Sequence, residues 1–300
     1  MNLKNMNTKI LVTGASGNLG ALVVASLLQK TEANNIAVML RNAKDAEAFI
    51  SKEIEVRMAN YDNTESMADA FKGIDKLYFV SGSDLEARLV QHKNIVAAAK
   101  VAKVGHIVYT SFSRKDGTVN HTLSTLAQGH LIAEEAIMNS GIPYTFLLNN
   151  YYMEVIPLFV GKNILTSQTI YFPAQQGKSG FIARKDIAEL SAEILTTAGH
   201  ENKVYEASGE EAYTFDEIAQ LISDVSGIKI SYISPSEVDF EKALKEYKVP
   251  KAGIDISILS ARAILKGEFE KTSGTFQKIT GHRPTSLSKF LRETYGVNTH

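Results

Sequence analysis

Short apolar runs recur through the first 150 residues, and longer segments with helical periodicity separate them. The runs begin at residues 9, 36, 54, 76, 106 and 144 and read KILVT, IAVML, IEVRM, KLYFV, HIVYT and YTFLL. Most of them lack the apolar–polar alternation of a half-exposed strand, which is typical of strands that helices cover on both faces. The pattern therefore predicts an α/β fold built on a doubly wound parallel sheet.

The pattern changes after residue 150. Residues 151–177 carry tyrosines and a proline, which predict a crossing segment with a short helix. Residues 178–208 predict a strand, a helix and a further strand that return to the main sheet, and residues 209–300 mix one strand with several helices. We therefore expect a larger domain in residues 1–150, completed by 178–208, and a smaller C-terminal α/β domain made of 151–177 and 209–300.

Composition limits the classes of function. The chain has 300 residues, 44% of them hydrophobic, and a formal net charge of −1, so nothing in its charge predicts a nucleic acid or an anionic membrane as partner. It has no cysteine, and its histidines show no metal-ligand spacing, so we expect no metal site. No apolar run reaches the roughly 18 residues that span a bilayer, and the polar start MNLKNMN lacks the core of a signal peptide, so we expect a cytoplasmic protein. A homodimer is left open, because an apolar helix face can meet the core or a partner.

Three glycines with regular spacing follow the first apolar run, in LVTGASGNLG. Gly14 would let the chain turn off the strand, and Gly17 would let backbone approach a pyrophosphate. Gly20 would let the next helix pack on the strand with its N-terminus aimed at the phosphates. We therefore predict a dinucleotide site rather than a purely structural loop, contacted by Gly14, Ala15, Ser16, Gly17, Asn18 and Leu19.

The end of the second predicted strand indicates which dinucleotide binds. An acidic residue there usually bonds the ribose hydroxyls of NAD, but this chain reads VMLRNAK, with Arg41 at that place. A guanidinium can pair with the 2′-phosphate of NADP(H) through charge-assisted hydrogen bonds. The alternative is a solvated arginine at a strand end. We predict a preference for NADP(H).

Two further loops should complete the cofactor site. Asp62 follows the third strand, where it could accept a hydrogen bond from the adenine amino group, or form a capping box with Glu65. A small-residue loop follows the fourth strand and should run beneath the ribose and nicotinamide, although a plain loop would look the same. It consists of Ser81, Gly82 and Ser83. Further along, Thr214 and Glu217 also have capping-box spacing.

Several segments together resemble the atypical short-chain dehydrogenase/reductase group. They are VTGASGNLG, VMLRN, VQHKNIVAAAKVAKVGHIVYTS, GIPYTFLLNNYYME and GHENKVYE with YTFDEIAQLIS. Within that group the likeness is to the NmrA-like family and its NADPH:quinone oxidoreductase and triphenylmethane reductase branch. The resemblance implies an NADPH-dependent reductase with a Rossmann NAD(P)-binding domain and a smaller substrate-binding domain. It also implies cofactor contacts from the glycine loop, Arg41, the loop 81–83, and Asn150 and Tyr152 in NNYYME.

The wider superfamily usually reduces carbonyls with a Tyr-x-x-x-Lys pair, which this chain lacks at the expected place. The helix after HIVYTS reads TLAQGHLIAEEAI, and the one Y-x-x-x-K in the sequence, Tyr247–Lys251, lies too far along the chain and contains a proline. Loss of a positioned acid slows alkoxide-forming reduction by about 10²–10⁴-fold, whereas a delocalised acceptor can take hydride without one. The sequence therefore favours a quinone or a similar conjugated aromatic acceptor.

Three residues are candidates for the acceptor pocket. His130 could polarise an acceptor oxygen or simply bond a neighbouring group, and Asn149 and Tyr151 follow the sixth strand, where ligands bind in open α/β sheets. Packing is the alternative for both. The alternative function is a non-catalytic NmrA-like redox sensor that binds NAD(P)(H) and acts through a protein partner, which the missing dyad would also suit.

Overall fold

Seven parallel strands form the main sheet of the computed structural model, which describes residues 8–82, 84, 87–115 and 124–296. These strands are β1 (Ile10–Val12), β2 (Ile36–Leu40), β3 (Glu55–Met58), β4 (Lys76–Phe79), β5 (His106–Phe112), β6 (Tyr144–Asn149) and β8 (Lys203–Ala207). Strand β7 (Thr169–Tyr171) lies between β6 and β8 in the sequence and belongs to a second, smaller sheet. Their order across the sheet is β3-β2-β1-β4-β5-β6-β8, and every pairing is parallel. The predicted doubly wound sheet is confirmed, with its change of direction between β1 and β4.

Helices alternate with the strands from β1 to β6 in the described chain, whereas several consecutive helices follow β6 and the last strand. They are α1 (Asn18–Leu27), α2 (Glu47–Ile50), α3 (Thr64–Ala70), α4 (Arg88–Val101), α5 (Ser124–Ser140), α6 (Ile156–Val160), α7 (Ile164–Ser167), α8 (Arg184–Thr196), α9 (Phe215–Ser226), α10 (Glu237–Glu246), α11 (Lys251–Leu265), α12 (Thr275–Thr280) and α13 (Leu287–Tyr295). None of these helices is both long and apolar enough to cross a membrane.

Helices cover both faces of the main sheet, which explains the near-continuous apolar runs. Ile10 and Val12 of β1 pack in a cluster with side chains of α1 and α8, whereas Leu11 between them packs in a second cluster with α3, α4 and α5. Successive side chains of a strand point to opposite faces, so a strand covered on both sides needs apolar residues throughout. The edge strand β3 is covered less, and both its ends are exposed.

A third apolar cluster lies in the second half of the chain, around a two-stranded parallel sheet of β7 and β9 (Ser231–Ile233). Large aromatic side chains dominate it, among them Phe172, Phe215 and Phe269. Helix α9 packs here, and its predicted capping box is confirmed. Thr214 Oγ1 accepts from the Glu217 backbone N–H at 3.1 Å, and the Glu217 carboxylate accepts from the Thr214 backbone N–H at 2.8 Å.

The segment before α8 differs from the predicted strand. Its backbone pairs in turn with three different parts of the chain: Ser179 with Tyr213, Gly180 with Phe269, and Ile182 with Tyr151. A segment whose backbone groups are shared in this way cannot form one ladder. The strand β8, which follows α8, does join the main sheet beside β6.

Candidate active site

The glycine loop lies between the end of β1 and the start of α1. Gly14 has a φ of +59°, in the left-handed region that favours glycine, and a Cβ there would lie 3.3 Å from the Cβ of Val80. The Gly17 backbone N–H donates to the Gly14 carbonyl at 3.0 Å. A Cβ on Gly20 would lie 2.2 Å from that same carbonyl oxygen, so α1 packs on the loop at a distance that excludes any side chain.

The first turn of α1 is open to a ligand. Gly17 is the N-cap residue, and no side chain caps the helix. Ser16, Gly17 and Asn18 are exposed, whereas the side chains of Ala15 and Leu19 are buried in the core, so these two could meet a ligand through their backbone. Uncapped N–H groups and the positive end of the helix dipole make this turn suitable for a pyrophosphate.

Arg41 directly follows β2, at the same edge of the sheet as the glycine loop. Its side chain is exposed, and its guanidinium makes no hydrogen bond or ion pair with another described residue. Its charge acts on the hydroxyl of the partly buried Tyr61, although desolvation of that hydroxyl is the larger effect and raises its pKa to about 12. The structure thus places an unengaged cation where the sequence predicts a 2′-phosphate contact.

Asp62 is exposed at the same edge, and Asn63 rather than Asp62 caps the next helix. The Asn63 side chain accepts from the Ser66 backbone N–H at 2.9 Å, so the capping box considered for Asp62 is wrong. The Asp62 carboxylate instead accepts a hydrogen bond of 3.1 Å from Gln91 Nε2. Gln91 belongs to α4, and sequence reasoning missed it because the contact is purely tertiary.

The loop after β4 is held by buried side chains. The Ser81 backbone N–H donates to Thr110 Oγ1 at 2.8 Å. The Gly82 N–H donates to His92 Nε2 at 3.3 Å, and its carbonyl accepts from Arg88 Nε at 2.8 Å. The third predicted residue of this loop, Ser83, lies outside the described residues. No sequence signal pointed to Arg88 or His92.

His130 lies inside the protein with both ring nitrogens engaged. Its Nε2 is 3.3 Å from Arg88 Nη1, and its Nδ1 is 2.9 Å from the Tyr109 hydroxyl. Burial, followed by the charge of Arg88, holds the pKa of His130 well below its usual range, so the ring is neutral. The catalytic role of His130 stays a prediction, and this geometry favours positioning over direct contact with an acceptor.

Asn149 and Asn150, at the end of β6, are equally buried but differ in their hydrogen bonds. Asn149 is 2% exposed, and its Oδ1 has no hydrogen-bond partner among the described residues. Asn150 is 1% exposed and donates to the Phe269 carbonyl at 2.9 Å, while its Oδ1 accepts from Ser179 Oγ at 3.0 Å. The Asn149 Oδ1 is therefore left without a partner among the described residues, whereas the side chain of Asn150 holds the fold.

The two tyrosines that follow face different surroundings. The Tyr151 hydroxyl donates to Ser260 Oγ at 2.9 Å, and its ring lies 4.3 Å from that of Phe269. The Arg184 guanidinium lies 4.5 Å from the centre of the Tyr152 ring. Burial raises the pKa of both hydroxyls, so both are protonated at neutral pH. Neither can act as a base there.

An aromatic wall stands beside these residues, which we define as Phe112, Tyr151 and Phe269. The Phe112 and Phe269 rings are 4.9 Å apart and meet edge to face. The other face of Phe112 stacks on His130, with ring centres 5.6 Å apart and an angle of 13° between the planes. Phe112 and Tyr151 are only partly buried, so the wall has a surface that a flat molecule can contact.

Other possible sites give no rival to this edge of the sheet. Among the described residues, no group of three or more His, Asp or Glu side chains could hold a metal ion. A surface cavity of about 740 Å³ lies between α1, α8 and residues 282–289. Two pairs of its charged groups contact one another, His282 with Glu189 at 2.8 Å and Arg283 with Glu210 at 3.6 Å, and none of the predicted site residues lines it.

Comparison with known proteins gives full-length matches. The sequence model of the NmrA-like family matches residues 6–294. Quinone oxidoreductase 2 of Escherichia coli is 34% identical over 96% of this chain and 99% of its own. Triphenylmethane reductase of Citrobacter sp., complexed with NADP(H), has a TM-score of 0.87 and 37% identity, with 95% of this chain and 99% of that chain covered. The NADPH complex of the E. coli quinone oxidoreductase has a TM-score of 0.87 and 33% identity, with 96% and 100% covered.

Proposed function

Because the chain belongs to the NmrA-like family, we propose that it is an NADPH-dependent reductase that transfers hydride to a quinone or a similar conjugated aromatic acceptor. The observation that carries this proposal is the open cradle at one edge of the sheet. The uncapped first turn of α1, the left-handed Gly14 and the unengaged Arg41 side chain lie there together. The two solved structures compared above are complexes with NADP(H) and NADPH.

The residues present fit this cofactor. The backbone of the loop from Gly14 to Leu19 would hold the pyrophosphate, and Arg41 would pair with the 2′-phosphate. Asp62 would accept from the adenine, and the backbone of the Ser81–Gly82 loop would support the nicotinamide end. The unpartnered Asn149 Oδ1 gives this end of the site a buried acceptor that a ligand can satisfy. When bound, NADPH would supply the hydride.

The acceptor side supports a conjugated substrate. Helix α5 contains neither tyrosine nor lysine, and His130 has both ring nitrogens engaged, so among the described residues neither the usual dyad position nor His130 supplies an acid for an alkoxide. The aromatic wall can stack on a flat ring system and orient it for direct transfer. An acceptor that delocalises the added charge needs orientation by the protein but no positioned acid.

We also propose the division of labour between the two parts of the chain. Residues 1–150 with 178–208 would bind the cofactor, and 151–177 with 209–300 would bind the acceptor. The separate aromatic cluster around β7 and β9 supports this division. Helix α12 is an exception, because it packs on α8 and on the main sheet. A cytoplasmic location and a homodimer stay predictions, and light scattering of the purified protein tests the latter.

Oxidation of NADPH by the purified protein tests the function, with menadione and then a triarylmethane dye as acceptor and NADH as the control cofactor. We expect turnover that is faster with NADPH than with NADH, and a loss of that preference in Arg41→Ala. Tight NADPH binding without turnover on either acceptor would overturn the reductase proposal. It would instead favour a redox sensor that acts through a protein partner.

A further inference from the structure

A buried arginine lies between the cofactor loop and α5, and the proposed reaction makes no use of it. Arg88 is the first residue of α4, and only 8% of it is exposed. Burial disfavours its charged form and lowers its pKa. A cation is seldom buried without specific partners, so the bonds that it makes indicate why it is there.

The guanidinium bridges the loop after β4 and helix α5. Its Nε–H donates to the Gly82 carbonyl at 2.8 Å, and its Nη1 donates to His130 Nε2 at 3.3 Å. One turn further along α4, His92 Nε2 accepts from the Gly82 N–H at 3.3 Å. Both backbone polar groups of Gly82 are thus held by side chains of α4. Both side chains also reach α5, Arg88 at His130 and His92 through its Nδ1, which lies 3.3 Å from the Gly129 carbonyl.

The same contact determines the tautomer of His130. An arginine only donates, so Nε2 must accept, and the proton of the neutral ring is on Nδ1. That Nδ1–H donates to the Tyr109 hydroxyl at 2.9 Å. The ring is then fixed in plane, and it supports the face of Phe112 on which it stacks. The contacts run without a break from Gly82 to the aromatic wall.

A helical glycine gives independent support for the role of Arg88. Gly129 lies inside the 17-residue helix α5, where glycine costs about 1 kcal/mol relative to alanine. A Cβ at this position would lie 2.6 Å from Arg88 Cδ and 3.3 Å from its Cγ. The helix therefore has a residue of low helix propensity at the position where the Arg88 side chain passes. A contact at the surface would not require glycine there, because a side chain could turn into solvent.

We propose that Arg88 is a positioning residue that couples the cofactor loop to the aromatic wall. Its guanidinium holds Gly82 and His130 at a set separation. The nicotinamide end of the cofactor site and the aromatic wall then keep the alignment that direct hydride transfer needs. The inference rests on the proposed function. It concerns how the two halves of the site are aligned, not which acceptor is used.

Three variants test the coupling. Arg88→Met removes the guanidinium, Arg88→Lys keeps the charge without it, and Gly129→Ala displaces the arginine stem by contact. Gly253→Ala is the matched control, because Gly253 also lies in a helix, α11, and a Cβ there would meet only the Val249 side chain, at 3.1 Å. For each variant we would measure the Kd of NADPH by fluorescence titration, kcat and KM with menadione, and the Tm.

We expect Arg88→Met to raise the Kd of NADPH and the KM for menadione together, each by roughly tenfold, which is typical of losing a charged hydrogen bond. Gly129→Ala should lower kcat by more than its change in Tm accounts for, because the Cβ displaces the arginine stem while alanine's helix propensity offsets part of the cost of that contact. Arg88→Lys should not restore alignment, since one ammonium cannot reach two diverging acceptors. Gly253→Ala should keep the wild-type Kd, kcat and KM.

Several results would overturn the inference. They are wild-type constants in Arg88→Met or Gly129→Ala, full activity in Arg88→Lys, or losses that simply follow a lowered Tm in every variant. The NADPH titration needs no turnover, so it separates this inference from the proposed function. A wild-type protein that binds NADPH but reduces nothing would refute the reductase, while the effect of Arg88 on NADPH binding would still be measured.

Discussion

The two neighbouring asparagines at the end of β6 test whether this edge of the sheet is built for a ligand. Asn149 donates one long hydrogen bond, 3.4 Å to the Tyr152 hydroxyl, and its buried Oδ1 has no partner among the described residues. A buried acceptor without a partner destabilises the folded state by about 1–3 kcal/mol. Evolution tolerates such a group most readily where a ligand satisfies it.

Asn149→Leu replaces the amide by an apolar side chain of similar size. It removes the penalty of the unpartnered oxygen and loses only the long bond, so we expect the ligand-free protein to gain about 1 kcal/mol. For a chain of 300 residues that raises the Tm by about 1.5–2 °C. The same change should weaken NADPH or acceptor binding roughly tenfold, because the ligand loses its buried acceptor.

Asn150→Leu is the matched contrast. Its side chain accepts from the Tyr151 N–H at 2.8 Å and from Ser179 Oγ at 3.0 Å, so its loss leaves these two donors without a partner and should cost about 3 kcal/mol or more. The Phe269 carbonyl, to which Asn150 donates, keeps its bond from the Gly180 N–H. Thermal unfolding with and without NADPH measures both effects. At 100 times its Kd, NADPH stabilises the protein by about 2.7 kcal/mol, and a tenfold weaker Kd roughly halves this gain. If Asn149→Leu instead lowers the Tm as Asn150→Leu does, or leaves all ligand constants unchanged, the reasoning is refuted.

Three further predictions concern the cofactor loop and the buried histidines. Arg41→Ala should raise the KM for NADPH roughly tenfold and leave that for NADH unchanged, since only the former has a 2′-phosphate; equal effects on both would contradict the assignment. Gly20→Ala should lower the Tm and abolish NADPH binding, because its Cβ would lie 2.2 Å from the Gly14 carbonyl; normal binding would show that the loop can yield. Burial lowers the pKa of His92 and of His106 to about 4, below the value of about 6.5 in the unfolded chain, so the unfolded state takes up protons first as the pH falls. Urea unfolding should therefore show stability declining between about pH 6.5 and pH 4, by about 2 kcal/mol per histidine at pH 5, and equal stability at pH 7.5 and pH 5 would contradict this.

The local part of the fold could be predicted from the sequence. The run IAVML coincides with β2 because both faces of that strand are buried and its ends are sharply polar. The glycine loop was predictable for the same reason, since its turn, its close approach and its helix start all depend on residues within one short stretch. The run IEVRM was less typical, and it forms the exposed edge strand β3.

The contacts that distinguish the acceptor side could not be predicted in this way. Arg88 and His130 are 42 residues apart, and neither follows a motif. Asn63 rather than Asp62 caps α3, because the helix start depends on backbone conformation that adjacent polar residues do not specify. The one trace of the buried network in the sequence is Gly129, a glycine within an otherwise strong helical pattern.

This difference has a consequence for how the site could change. The cofactor side depends on backbone geometry, so few substitutions in the glycine loop are tolerated. The aromatic wall instead combines a strand end, the segment after β6 and the turn after α11, through Phe112, Tyr151 and Phe269. Substitutions there alter the acceptor surface without touching the dinucleotide cradle. Arg88 links the two halves, so a change of acceptor that preserves activity should keep Arg88, Gly129 and His130 while the wall itself varies.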